Sequence, residues 1–250
     1  MTPALIPRAA PWPRAFRAQL RVELILLLRQ GENLLVILVL PIVLLALFAG
    51  ARIFPTGSGR PIDFLLPGVL TVALMSTGMV TLGISTAYQR YYRVLKRLGG
   101  SPLPRATLVG AKATAVLLVE VGQVALLVLI GWLLFGWSGT LAPGLPIMAL
   151  GAVCFAALGL TLAGALRAEL TLGGANGLYL VFLVVGGVVL PISHLPNWLQ
   201  PLAAILPPAA LSSALRSALG GGALPGAQVA LLGGWTIVLG VLAATLFRWE

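Results

Sequence analysis

The sequence predicts an all-α fold, namely a polytopic membrane protein of about six transmembrane helices with both termini in the cytoplasm. Of the 250 residues, 59% are hydrophobic and only 9% are charged, whereas ordinary soluble proteins carry roughly a quarter charged residues. Such a chain cannot cover a soluble domain with charge, and it is far too apolar for a disordered one. Residues 34–40 are apolar at every position, whereas strands of a membrane β-barrel alternate. Helices are therefore expected.

Residues 1–32 are predicted to form a cytoplasmic tail that ends in an amphipathic helix. A basic face opposite an apolar face is typical of a helix lying at the membrane surface, where anionic lipid attracts each arginine by about 1 kcal/mol. Membrane lipid is thus an expected partner, and the helix is either a topology anchor or a moving part. The two faces consist of Arg14, Arg17 and Arg21, and of Phe16, Leu20, Leu24 and Leu27.

Residues 33–250 are predicted to form a single transmembrane domain. A membrane-spanning helix needs about 20 apolar residues, and charges divide the chain into uncharged runs of that length or longer. The long run 121–166 is broken near Gly136 and Pro143, and the run 170–215 is broken at Pro191. The six spans are placed at about 33–51, 64–88, 106–135, 144–166, 172–190 and 226–247.

The orientation follows from the distribution of basic residues, because cytoplasmic loops are enriched in Lys and Arg. With the N-terminus inside, only Arg52, Arg60 and Arg216 of the 16 Lys and Arg residues lie outside. This distribution explains the high isoelectric point without nucleic acid as a partner. No cleavable signal peptide is expected, because the first apolar stretch follows about thirty residues that carry five arginines.

The stretch between the second and third spans, residues 89–104, is predicted to be a short two-faced helix below the membrane. Arg90, Arg93 and Arg97 should share one helical face, opposite an apolar one. Gly99 and the glycine after it should end the helix. A simple connection would need neither the apolar face nor the prolines that follow, so a docking role is favoured over a purely structural one.

Residues 191–220 are predicted to form short re-entrant half-helices in the outer leaflet. The segment is too apolar for an open loop and too often interrupted for a span, and irregular backbone at membrane depth must be buried in protein or line a cavity. Trp198 is expected at the lipid interface. The other marker residues are Pro191, Pro196 and Pro207.

Within the third span, Glu120 and Gln123 lie one turn apart. A charged residue at mid-membrane costs about 2.5–3.5 kcal/mol on insertion scales and should face a partner or a wet cavity. The pair is therefore either a polar patch on a substrate path or part of a structural contact, with Lys112 two turns earlier or with a Ser or Thr of a neighbouring helix.

Catalytic chemistry is not expected of this chain. His194 is the only histidine, which argues against a metal site and against an intramembrane protease. The six acidic residues do not cluster within a span, so no metal site is predicted. A phosphate-binding loop with the spacing Gly-x4-Gly-Lys-Ser/Thr does not occur, so the chain is not expected to bind ATP.

Taken in order, these features resemble the membrane permease subunit of type-2 ABC exporters, and most closely the bacterial drug and antibiotic (daunorubicin-type) branch. The basic stretch 89–105 is similar to the family's coupling helix, although relatives often begin it with a glutamate where this chain has Gln89. The resemblance rests on Arg29 and Pro41; on Leu95–Leu98, Ser101–Arg105 and Gly110–Lys112; and on Pro191, Leu195–Leu199 and Leu206–Pro207.

The resemblance implies a half-transporter in the bacterial cytoplasmic membrane that exports an amphiphilic, drug-like or lipid-like cargo. Two permease copies, identical or closely homologous, would pair, and each would dock a separately encoded ATPase that carries ATP and Mg²⁺. The alternatives are an ion-coupled secondary transporter and an ABC permease for polysaccharide or heme. The residues implied in ATPase coupling are Arg90, Arg93, Leu95, Lys96, Arg97, Leu98, Gly99, Ser101, Pro102, Leu103 and Arg105.

Overall fold

A computed structural model describes residues 11–29, 31–51, 60–99 and 104–246. Within these ranges every regular element is helical, which confirms the all-α class. A π-helical segment, Ser76–Thr81, joins α3 to α4, so that the two form one long helix. The helices are α1 (Trp12–Arg29), α2 (Gly31–Ala51), α3 (Pro61–Met75), α4 (Leu82–Tyr91), α5 (Val94–Gly99), α6 (Arg105–Phe135), α7 (Leu145–Ala165), α8 (Ala168–Val185), α9 (Gln200–Ala204), α10 (Pro207–Leu219) and α11 (Gly226–Leu246).

The chain is a multi-pass membrane protein, because five of its helical stretches are long and apolar enough to cross a bilayer. The first predicted span coincides with α2, in which the described apolar stretch is the shorter Leu38–Phe48. The count of six spans and the orientation therefore stay predictions. The five stretches are Pro61–Tyr91, Thr107–Phe135, Ala142–Ala165, Ala168–Val185 and Gly226–Leu246.

The α3–α4 helix forms the centre of the molecule. Most of its apolar side chains are buried, including Leu66 and Met79. It packs backbone to backbone against α7, because a Cβ added at Gly83 would lie 2.9 Å from the Gly159 carbonyl oxygen. Small residues at such crossings let membrane helices approach closely. Close packing here makes α3–α4 the scaffold on which the other helices are arranged.

The amphipathic α1 packs along α6 rather than standing apart from the bundle. Its Glu23 carboxylate forms an ion pair with Lys112 Nζ of α6 at 3.3 Å, with side chains only 6% and 8% exposed. Breaking one side of a buried pair leaves an uncompensated charge, which costs several kcal/mol, about 3–5. Arg14, Arg17 and Arg21 are exposed. Thus α1 is bound to the third predicted span and presents its basic face outward.

The fifth predicted span ends earlier than the hydropathy pattern suggested. Its helix, α8, ends at Val185, and Gly187 adopts a positive φ of 63°. Glycine adopts this left-handed conformation without steric cost, and such residues commonly end helices. The apolar residues up to position 190 therefore leave the helix and form part of the irregular segment that follows.

Residues 191–220, predicted as half-helices, form two short helices, α9 and α10, neither long enough to cross a bilayer. Nearly all of α10 is buried. Its Arg216 guanidinium stacks 3.8 Å from the centre of the Phe64 ring and donates hydrogen bonds to the carbonyls of Gly187 and Val188, both at 2.9 Å. Burial lowers the pKa of Arg216 to about 10, so the side chain remains protonated at neutral pH. Arg216 therefore joins α10, the start of α3 and the end of α8.

Candidate functional site

The helix between the second and third predicted spans is broken at Arg93. The helix α4 ends at Tyr91, and Arg93 has a φ of 57° before α5 begins. A left-handed conformation is uncommon outside glycine and redirects the chain. The expectation that Arg90, Arg93 and Arg97 share one continuous helical face is therefore wrong, because Arg90 belongs to α4 and Arg97 to α5.

Arg90 binds the end of a neighbouring span. Its guanidinium donates a hydrogen bond to the carbonyl of Gly164 at 2.9 Å and a second one to the carbonyl of Leu166. The last carbonyls of a helix have no partners within the helix and carry a partial negative charge. Arg90 thus caps the end of α7 and ties α4 to the connection between α7 and α8.

A basic cleft lies between the α4–α5 break and the α7–α8 connection. It is a cavity of about 430 Å³ whose walls carry four cationic side chains and one carboxylate. Arg93 itself is exposed. A concentration of one sign of charge attracts a surface of the opposite sign. The charged lining residues are Arg90, Arg93, Lys96, Arg167 and Glu169.

Arg167 and Glu169 were not singled out from the sequence as site residues. They are far from the α4–α5 break along the chain and reach it only through the packing of α4 against α7 and α8. The available signal was a pair of charges between two long uncharged runs. Such a pair marks a membrane boundary and does not by itself indicate which other loop it meets.

Part of the predicted coupling set lies outside the described residues, namely Ser101, Pro102 and Leu103. The backbones of Leu95, Leu98, Gly99 and Arg105 belong to α5 and to the first turn of α6, while their side chains lie outside the description. The structure places Arg90, Arg93 and Lys96 around the cleft, and it places Arg97 exposed on α5.

A larger cavity, the central groove, runs along the α3–α4 helix between α2 and α8. Its volume is about 770 Å³, within the range typical of small-molecule sites. Its walls mix aliphatic, aromatic, hydroxyl and amide groups. The lining residues are Leu40 of α2; Ser76, Val80, Thr81, Ile84, Ser85, Tyr88, Gln89, Tyr92 and Val94 of the central helix and α5; and Leu172, Asn176, Tyr179 and Leu180 of α8.

Two buried polar atoms in the groove walls lack hydrogen-bond partners among the described residues. They are the Tyr179 hydroxyl and the Gln89 side-chain oxygen Oε1. Buried polar groups are nearly always hydrogen-bonded, so each such exception needs an explanation. Both atoms lie beneath the groove surface and have almost no accessible area of their own. The walls that a ligand would contact are mostly apolar, with hydroxyl and amide groups among them.

The groove reaches the α4–α5 break. Tyr92 and Val94 line its end, and the Tyr92 ring lies 6.1 Å from that of Tyr88, centre to centre, in a stacked arrangement. The basic cleft is lined by the intervening Arg93. A displacement of α5 would consequently change both cavities at once.

Glu120 and Gln123, the predicted translocation pair, do not line the groove. Gln123 Oε1 accepts a hydrogen bond from the Thr77 hydroxyl at 3.0 Å, within the packed helices. Glu120 points to a separate cavity between α6, α7 and α11. The alternative pairing of Glu120 with Lys112 is wrong, since Lys112 binds Glu23 instead, whereas the role of Glu120 and Gln123 in translocation stays a prediction.

The predicted half-helix residues occupy different environments. Pro191 precedes one turn of 3-10 helix, Ile192–His194, and Pro196 is exposed. Pro207 begins α10 and is buried, whereas Trp198 is 73% exposed. An exposed indole on an apolar segment suits a membrane interface.

No cluster of three or more His, Cys, Asp or Glu side chains that could hold a metal ion occurs in the described part of the chain.

Comparison with known proteins relates the chain to a family. Residues 14–219 match the model of the family described as ABC-2 type transporter. This match includes α1, the basic cleft, the central groove and α10. No curated protein sequence matches the chain.

Proposed function

Because the chain belongs to the ABC-2 type transporter family, we propose that it is the permease subunit of an exporter for amphiphilic, drug-like or lipid-like compounds. Membership of this family implies an ATPase partner. The proposal assigns ATP and Mg²⁺ to that separately encoded partner, and it places the permease in the bacterial cytoplasmic membrane, in the daunorubicin-type branch. The observation that carries it is the central groove, which ends at the helix break beside the basic cleft.

The basic cleft is the proposed docking site of the ATPase. Its four cations against one carboxylate call for an acidic partner surface, since complementary charge favours association and fixes the register. The exposed rings of Tyr91 and Tyr92 add an apolar contact area of the kind that dominates protein interfaces.

The α4–α5 break is the proposed coupling element. Arg93 connects two helices that can rotate about the break, and Arg90 transmits movement to the end of α7 through its two carbonyl contacts. ATP-driven approach of two ATPases would displace α5. Because Tyr92 and Val94 line the groove, that displacement would alter its opening.

The central groove is the proposed cargo path, completed by a second permease copy. The groove-lining residue Leu180 of α8 is 59% exposed, and its neighbours Val181 and Val184 are also exposed. A second copy, identical or closely homologous, would face this side and enclose the cargo between the two grooves. Mostly apolar walls with hydroxyl and amide groups among them suit an amphiphile better than a polysaccharide.

Charge reversal in the cleft region tests the docking. We expect Arg93→Glu or Arg97→Glu to abolish co-purification of the ATPase and ATP-dependent transport, because an acidic partner would then meet a like charge. Arg97 lies in α5 and, unlike Arg93, does not have a positive φ. Arg97→Glu therefore reverses a charge without replacing a residue in a left-handed backbone conformation. The measurement is the ATPase-to-permease ratio after affinity purification of the permease.

Arg14→Glu is the matched control. Arg14 is an exposed arginine on α1 that does not line the cleft, and its reversal should leave co-purification unchanged. Wild-type amounts of ATPase bound to both the Arg93 and the Arg97 variant would refute the docking site.

A further inference from the structure

A second cavity, here called the lateral crevice, lies between α6, α7 and α11. Its volume is about 440 Å³, which is sufficient for a small organic ligand. It shares no lining residue with the central groove. Its floor is formed mainly by small side chains, such as Ala152 and Ala156 of α7 and Ala243 and Ala244 of α11. The crevice is therefore a site separate from the groove.

Glu120 is the one polar side chain among the residues that line the crevice. It is 2% exposed, and neither carboxyl oxygen has a hydrogen-bond partner among the described residues. It is the sixteenth residue of the 31-residue α6, so at 1.5 Å per residue it lies about 22 Å from either helix end. An acidic group at this depth is costly unless something pairs with it.

From this arrangement, we infer that the lateral crevice binds a compact lipophilic amine, whose nitrogen pairs with the Glu120 carboxyl. The proposal does not depend on the proposed transport function, because binding requires neither ATP nor a partner.

The chemistry favours an amine over the other membrane-soluble ligands. A phospholipid or a fatty acid keeps its polar group at the membrane surface, so only its acyl chain reaches the depth of Glu120, and an acyl chain offers no hydrogen-bond donor. A neutral amine can enter the membrane centre and meet the neutral carboxyl. The proton then passes from the carboxyl oxygen to the nitrogen, and the resulting ammonium and carboxylate form a charge-assisted hydrogen bond. No net charge enters the membrane in this step.

The crevice is accessible from the side of the bundle. Leu117 and Val153, which flank it, are 38% and 50% exposed. A Cβ added at Gly240, also in the lining, would meet no atom within 4 Å. A ligand dissolved in the bilayer could therefore reach Glu120 without passing through the central groove.

Binding of tritiated 1-adamantanamine to the full chain, purified and placed in phosphatidylcholine nanodiscs, tests the inference. Adamantan-1-ol has the same cage with a hydroxyl group in place of the amine, and serves as the ligand control in competition. We expect the amine to bind at least roughly tenfold more tightly than the alcohol, the difference typical of a hydrogen bond to a charged group. Glu120→Gln should remove that preference.

Gly240→Leu provides a variant that leaves Glu120 intact. The added side chain should fill the crevice and weaken amine binding at least roughly tenfold, since overpacking excludes a ligand of similar volume. Gly234→Leu is its matched control, because Gly234 also has open space at its Cβ on the same helix but does not line the crevice. It should bind the amine as the wild type does.

Two binding results would overturn the inference. One is equal binding of the amine and the alcohol, with no effect of Glu120→Gln, which would indicate an apolar cavity filled by lipid. The other is unchanged amine binding in Gly240→Leu, which would place the ligand elsewhere. Disulfide cross-linking between copies that carry Val153→Cys and Gly240→Cys would also contradict the inference, because the crevice would then lie in an interface.

Discussion

Single arginines have distinct roles at the α4–α5 break. Arg90 is half-buried and binds two backbone carbonyls of the α7 end, whereas Arg93 is exposed beside it. In the sequence the two look equivalent, since they are three residues apart in one basic stretch. They differ in the structure because the positive φ at Arg93 ends the continuous helix between them. One residue stabilises the bundle, and the other is available to a partner.

Neutral substitutions should separate these two roles. We expect Arg90→Gln to lower the thermal stability of the purified permease, because removal of a charge-assisted hydrogen bond costs about 1.5–3 kcal/mol. Arg93→Gln should leave stability unchanged and reduce ATPase co-purification. Melting curves and purification ratios of the two variants provide the check. The same loss of stability in both variants would contradict this division of roles.

At the scale of elements, the central α3–α4 helix determines where the others lie. Its contact with α7 depends on glycines, because a Cβ at Gly159 would lie 2.6 Å from the Gly78 carbonyl oxygen and 2.7 Å from that of Met79. Both carbonyls belong to the backbone, so they cannot move aside as the end of a flexible side chain could. The helices would have to separate to accommodate even a methyl group.

Gly159→Ala should therefore destabilise the protein in spite of alanine's better helix propensity. Its control is Gly177→Ala in α8, where a Cβ meets nothing within 4 Å and alanine should be neutral or stabilising by up to about 1 kcal/mol. Thermal unfolding monitored in detergent compares the two. Equal melting temperatures for both variants would show that the contact of the central helix with α7 at Gly159 is not tight.

The sequence predicted the elements better than it predicted the site. Apolar length is a local property, so hydropathy located helices such as α6 and α11 closely. The end of α8 was misplaced because the residues after Gly187 are apolar without being helical. Hydropathy alone does not distinguish a span from a buried irregular segment.

The central groove could not be predicted because its wall comes from three helices. Its polar residues on the central helix, among them Ser76, Ser85 and Tyr88, line one cavity, but the nine-residue spacing of Ser76 and Ser85 corresponds to opposite faces of a regular α-helix. The π-helical segment Ser76–Thr81 changes that register. Tyr179 belongs to another helix, α8, and it lines the same cavity as Gln89 only because the two helices pack together. Glu120 and Gln123, one turn apart on one helix, were expected together and face different surroundings.

At the scale of the whole molecule, one break connects a charged cleft to a mixed polar and apolar groove. Tyr92 and Val94 line the groove, and Arg93 between them lines the cleft. A displacement of α5 by a docked partner would therefore change the shape of the groove. We propose that nucleotide bound to the partner ATPase controls access to the groove through this break.

Thiol labelling in the groove tests this claim most directly. Ser85, which lines the groove, is replaced by cysteine in a background in which the buried Cys154 is alanine. The permease with its co-purified ATPase is placed in liposomes and exposed to a membrane-impermeant maleimide. We expect the labelling rate to change severalfold when ATP and vanadate trap the ATPases together, and to stay unchanged with ADP. A labelling rate unaffected by nucleotide in the intact complex would contradict the account.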